Sequence, residues 1–198
     1  MSTLSLRKAP IVDIVVPGTG LLRDTALIVG GAALTFAGAQ VVIPWQPVPF
    51  TLQTLSVMLC GLTLGAKRGV LSQLLYVGVG AAGAPVFAQG AFGAHAMLGA
   101  TGGYILSFMI VSALLGWLAE KGWTRTVCMT AAAMTIGVVI NLGLGTAWLS
   151  SFIGWQAALA HGVAPFLIPE AMKATVVMLA LPGAWQLLKG AKDKRAAF

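Results

Sequence analysis

The chain has 198 residues, suited to one domain, of which 58% are hydrophobic and 9% charged, with a mean hydropathy of +0.91. Soluble domains carry about 25% charged residues, so a water-coated globule is excluded, as are disorder and a collagen-like repeat, and a polytopic membrane protein remains. The net charge of +7 reads as a membrane-orientation bias, not as the footprint of a nucleic-acid partner.

Residues 1–20 form a cytoplasmic or interfacial segment in which Arg7 and Lys8 precede a short apolar stretch. That stretch carries Asp13 and breaks at Pro17-Gly18, which makes a poor signal peptide. Six hydrophobic segments follow, at 21–43, 51–66, 70–84, 101–119, 126–149 and 167–188. A spanning helix takes about 20 residues, so six use most of the chain. The expected fold is an all-α membrane protein, with six transmembrane helices in one bundle over 21–188 and a basic cytoplasmic tail at 189–198. The second and third segments are short for a hydrocarbon core of about 30 Å. They fit either one long hairpin or two short helices in a thinned region. In the first segment, Ala26-x-x-x-Gly30 and Ala33-x-x-x-Ala37 permit close helix approach, either within the bundle or to a partner.

The cations fix an orientation. Arg7 and Lys8 precede the first segment and Arg23 lies at its start, Lys67 and Arg68 join the second to the third, and Lys121 and Arg125 join the fourth to the fifth. Lys189, Lys192, Lys194 and Arg195 follow the sixth. With six spans all eleven fall on one face, so both termini are expected in the cytoplasm. The alternate connections, near 44–50, 85–100 and 150–166, hold no Lys or Arg and are rich in Pro, Gly and aromatic residues. The 85–100 connection reads as a lid or site wall, or as an interfacial anchor through its aromatic residues.

Lys173 departs from this bias and lies near the outer end of the sixth segment with Glu170, three residues away on one helix face. The pair is either a self-satisfied ion pair at a helix end or an acceptor and a donor facing an outward pocket. Gln53, Thr101 and Tyr104 cluster with it at segments that begin on the outer side, where helix N-termini favour an anionic group. Phe50, Phe87, Phe92, Trp148 and Phe166 are candidate apolar walls. Gln89 is a candidate rim contact, and Asn141 either an interhelical hydrogen bond or a site residue. His95 and His161 lack companions at ligand spacing, so no metal is expected. Cys60 and Cys128, inside apolar runs far apart in sequence, read as buried free thiols. No Walker A, Gly-x-Ser-x-Gly or His-Glu-x-x-His pattern occurs, so neither ATP hydrolysis nor nucleophilic catalysis is indicated.

Four stretches carry a resemblance. They are Pro47-Val-Pro-Phe-Thr-Leu-Gln-Thr-Leu55, Gly83-Ala-Pro-Val-Phe87, Gly99-Ala-Thr-Gly-Gly-Tyr104 and Gly162-Val-Ala-Pro-Phe-Leu-Ile-Pro-Glu-Ala-Met-Lys173. In order and spacing the chain resembles the BioY family, the biotin-binding S components of energy-coupling factor (ECF) vitamin transporters. The resemblance implies high-affinity biotin binding and uptake across the bacterial cytoplasmic membrane, with biotin as transported ligand and no cofactor. It also implies a transmembrane coupling protein and two ATPase subunits as partners, beside membrane lipid and a possible homo-oligomer. Carried over residue by residue, it makes Gln89, Tyr104, Glu170 and Lys173 the leading ligand contacts; Gln53, Phe92 and Asn141 are further candidates by their position in the chain. It makes Ala26, Gly30, Ala33 and Ala37 a coupling surface. The chain departs from the family pattern at Glu170, where Asp is usual, and at Gln89, Ala100 and Pro169. Competing readings are an S component for another vitamin, an integral membrane enzyme and a scaffold.

Overall fold

In lipid a backbone satisfies its polar groups by bonding to itself, and the charge-poor runs of this chain are helical. The computed structural model describes residues 9–196, with side-chain surroundings through residue 190. Arg7 and Lys8 lie outside the described residues, as do the side chains of Lys192, Lys194 and Arg195. The helices are α1 (Val12–Val15), α2 (Leu21–Gln40), α3 (Gln53–Leu64), α4 (Ala66–Ala81), α5 (Gly93–Leu98), α6 (Gly102–Glu120), α7 (Val127–Ile153), α8 (Trp155–Gly162) and α9 (Leu167–Ala196). Two short strands, β1 (Val42–Ile43) and β2 (Phe50–Thr51), pair antiparallel and close the α2–α3 connection into a hairpin.

Each of the six hydrophobic segments falls on a helix. By length and composition α2, α6, α7 and the stretch Trp155–Gly190 can cross a membrane. With 12 and 16 residues, α3 and α4 reach only about 18 and 24 Å at 1.5 Å per residue. They part at Gly65, whose φ of +85° is open to glycine and strained for other residues. A Cβ there would sit 2.7 Å from Glu120 Oε1 and 2.8 Å from Pro10 Cγ.

Two of the connections free of Lys and Arg are more ordered than the sequence suggests. The region 150–166 is not an open loop: α7 continues to Ile153, Gly154 at φ +80° turns the chain, and α8 follows. The 85–100 connection contains α5.

The central helix is α6, with Val111, Ser112, Leu115 and Ala119 buried. Its neighbours approach through glycine. A Cβ on Gly61 would lie 2.8 Å from the Ser112 carbonyl oxygen, and one on Gly69 would lie 2.7 Å from Ser112 Oγ. Such close backbone approach is what holds helices together where lipid removes the hydrophobic drive. Polar bonds add register. Thr35 and Gln73 join α2 to α4 at 3.2 Å, both fully buried.

At the end of the bundle where α3 meets α4, Arg68 binds Asp13 at 2.7 Å and Asp24 at 2.8 Å, while Arg23 binds Asp13 at 2.8 Å. A cavity of about 800 Å³ lies there, with Lys67, Arg68, Lys121, Asp13, Asp24 and Glu120 on its walls. Acids and bases thus gather at one end, leaving Glu170 and Lys173 at the other.

Candidate functional site

At the opposite end, where α3, α6 and α9 begin, a cavity of about 340 Å³ opens between the helices. That is within the range of small-molecule sites, about 300–1,000 Å³. Its apolar wall is made by Val48 from the hairpin, Phe87, Phe108 and Ile105, Leu142 and Phe166. Phe87 is seated by Gly80, where a side chain would collide with the ring, and packs edge-on against Tyr76 with centroids 5.5 Å apart. Phe166 lies 4.5 Å from Phe50, which holds the hairpin against the α8–α9 corner.

The base of the cavity carries its charge. Pro169 and Glu170 stand in the first turn of α9, where proline fits the helix start and an acid meets the positive end of the dipole. Glu170 is only 3% exposed. Lys173, one turn on, places Nζ 2.6 Å from Glu170 Oε1 and 2.8 Å from Thr54 Oγ1. The Thr54 hydroxyl donates to the same Glu170 Oε1 at 2.8 Å. Glu170 Oε2 is buried and has no hydrogen-bond partner among the described residues. An ammonium has three donors, and two of those on Lys173 are used. The pair therefore offers a ligand one open acceptor and one open donor, side by side.

The other expected site residues are distributed unevenly. Gln89 lines the cavity from the 85–100 connection and holds φ +60°, ψ +26°, a left-handed conformation rare outside glycine. Gln53 lines it too, but its amide donates to Tyr76 Oη at 2.7 Å and accepts from Thr51 Oγ1 at 3.1 Å. The Tyr104 hydroxyl bonds to the Gly162 carbonyl at 3.0 Å and Thr146 Oγ1 at 3.2 Å, so its ring faces the cavity while its polar end ties α6 to α7 and α8. Asn141 donates to Ser107 Oγ at 2.6 Å and the Tyr104 carbonyl at 3.3 Å. It therefore serves as an interhelical tie and as a wall residue. Phe92 is 56% exposed and is not on the cavity wall. Trp148 is also off the wall, its indole N–H bonded to the Gly99 carbonyl at 2.9 Å. Thr54 is on the wall and was not singled out from the sequence. The one signal for it was its place in the motif from Pro47 to Leu55.

The small residues of α2 divide by face. Gly31, Ala32, Thr35, Gly38 and Ala39 are buried in the bundle, whereas Ala26, Gly30, Ala33 and Ala37 are exposed. A Cβ on Gly30 would meet nothing within 4 Å.

Apolar helices around a cavity with a charged base are the architecture of a helical membrane protein able to hold a small ligand at one end of its bundle. The model of the BioY family matches residues 6–190. A probable biotin transporter BioY of Pyrococcus horikoshii is 39% identical over 79% of this chain and 93% of its own length. The biotin transporter BioY2 of Lactococcus lactis is 36% identical over 80% of this chain and 87% of its own length. The chain belongs to the BioY family. Its fold is similar to the crystal structure of the S component for biotin from an ECF-type ABC transporter, with a TM-score of 0.74, 24% identity, and coverage of 83% of this chain and 92% of that one.

Proposed function

We propose that this protein binds biotin with high affinity and serves its uptake across the bacterial cytoplasmic membrane, as the S component of an ECF-type transporter. The observation that carries the reading is the open Glu170 Oε2 beside Lys173 Nζ at the base of a cavity otherwise walled by aromatic and aliphatic side chains. A ureido N–H of biotin donates to Glu170 Oε2, a charge-assisted bond in a water-poor site. The thiophane ring packs on Phe87, Phe108 and Phe166. The ligand carboxylate points to the rim, where Gln89 lies and where Thr101 precedes the N-terminal, partly positive end of α6 without a side-chain hydrogen bond to it. No bond is made or broken in this account: the chain binds and releases, and energy for uptake comes from ATPase partners.

In this reading α2, α3, α4, α6, α7 and α9 all cross the membrane, α3 and α4 as a short pair joined at Gly65, and both termini face the cytoplasm. The support is the gathering of Lys67, Arg68 and Lys121 at the end away from the ligand cavity. The exposed Ala26, Gly30, Ala33 and Ala37 face of α2 meets the transmembrane coupling protein, because residues without bulk let a partner helix approach closely. The test is uptake of labelled biotin by cells that lack their own biotin transport, expressing this chain with the coupling protein and ATPase subunits. Accumulation that needs biotin-binding Glu170 is expected. Accumulation unchanged by Glu170→Ala would refute the site.

A further inference from the structure

Among the described residues, every side-chain hydrogen bond of Glu170 converges on one atom. Lys173 Nζ and Thr54 Oγ1 both approach Oε1, at 2.6 and 2.8 Å, and Thr54 Oγ1 also takes an N–H from Lys173 Nζ at 2.8 Å. Three groups on two helices thus form a closed triangle, and Oε2 is left buried and open. A carboxylate rotates about a broad terminal torsion, and a lysine ammonium is a compact charge on a flexible stem. Left as a pair, the ammonium can bridge both oxygens and occupy the acceptor that a ligand needs. Thr54 is different. Its β-branched side chain is stiff at χ1, and α3 fixes its backbone. Its single proton selects Oε1, and its lone pair draws the ammonium to the same side.

We infer that Thr54 is a positioning residue for biotin, acting through Glu170: it holds the carboxylate and the ammonium on Oε1 so that Oε2 stays free for a ligand N–H. The inference rests on the biotin reading given above. The glutamate side chain is anchored at its tip by a hydroxyl from a helix 116 residues away in sequence.

The test is a mutant cycle on the full-length chain in detergent, with biotin titrated calorimetrically into ligand-stripped protein. Thr54→Val removes the hydroxyl at nearly constant volume. It should weaken biotin by about tenfold or more, a shift of about 1.4 kcal/mol, because the ammonium can then turn onto Oε2 and compete with the ligand N–H. Thr54→Ser keeps the hydroxyl and should stay within about threefold of the parent. In a Glu170→Ala background, Thr54→Val should change affinity by less than about twofold, since a residue that acts through Glu170 has nothing left to act on. If Thr54→Val does not fold, Thr54→Ala enters the same cycle. Parental affinity in the Thr54 variant overturns the inference, and so does an equal loss with and without Glu170, which marks a purely structural role. A parent chain that binds no biotin overturns the ligand reading and this inference together. A parent that binds with a flat cycle overturns the inference alone.

Discussion

Replacing Lys173 by alanine tests the charged base of the cavity most severely. The substitution removes a donor 2.6 Å from Glu170 Oε1 and 2.8 Å from Thr54 Oγ1. Among the described residues, the carboxylate of Glu170, at 3% exposed, is then left with the Thr54 hydroxyl as its one side-chain partner. Two costs separate. Stranding a buried charge costs about 3–5 kcal/mol when one partner of a buried pair is removed, and this falls on the folded, ligand-free protein. Losing the hydrogen bond that the open third donor of Lys173 offers a ligand oxygen costs about 1.5–3 kcal/mol, which weakens binding by about 10- to 150-fold at 1.4 kcal/mol per decade. Calorimetric titration of biotin into folded Lys173→Ala reads the second cost, and thermal unfolding in the same detergent reads the first. The Lys173→Ala, Glu170→Gln double variant removes the stranded charge, so it should recover stability without recovering affinity. Near-parental affinity in a folded Lys173→Ala protein would refute the assignment of the ion pair to the ligand.

Other outcomes follow from the same geometry. Gly30→Leu should spare biotin affinity and impair uptake with a coupling module, because its side chain enters open space. Gly31→Leu, whose Cβ would lie 2.8 Å from that of Ser72 and 2.9 Å from Leu64 Cδ1, should lower the unfolding temperature. Gln89→Gly relieves a left-handed non-glycine residue, worth about 1 kcal/mol, so thermal stability should hold or rise while biotin affinity falls. A loss of stability with unchanged affinity would remove Gln89 from the site. Cys60 is buried, as expected of both thiols, whereas Cys128 is exposed because it stands at the very start of α7, outside the packed bundle. A membrane-impermeant thiol reagent should therefore label intact cells only after permeabilisation; labelling from outside would reverse the proposed orientation.

The apolar segments were legible because lipid imposes one rule on backbone polar groups, and charge-free runs of about 20 residues obey it visibly. Glu170 and Lys173 were legible because ionisable groups are rare in such a chain and sit three apart on one helix. Thr54 was not, since a threonine in an apolar helix carries no mark of a partner on another helix. The function of Gln53 and Tyr104 was only half visible. Both reach the cavity, yet their polar ends are spent on Tyr76, Thr51, Gly162 and Thr146. On α2 two interleaved sets of small residues, Gly31 with Gly38 and Gly30 with Ala37, look alike in sequence. Only packing assigns the first to the interior and the second to the surface. The short helices α5 and α8 escaped notice because 6 and 8 residues set among glycines leave little periodic signal.

The most direct measurement is the affinity of the purified, ligand-stripped chain for biotin in detergent, by titration calorimetry against a panel of vitamins. A one-to-one nanomolar isotherm for biotin, absent for the other vitamins, is the predicted result. A chain that stays silent with biotin and binds another vitamin would keep the fold and discard the ligand, and a folded chain that binds none would contradict the account of the cavity.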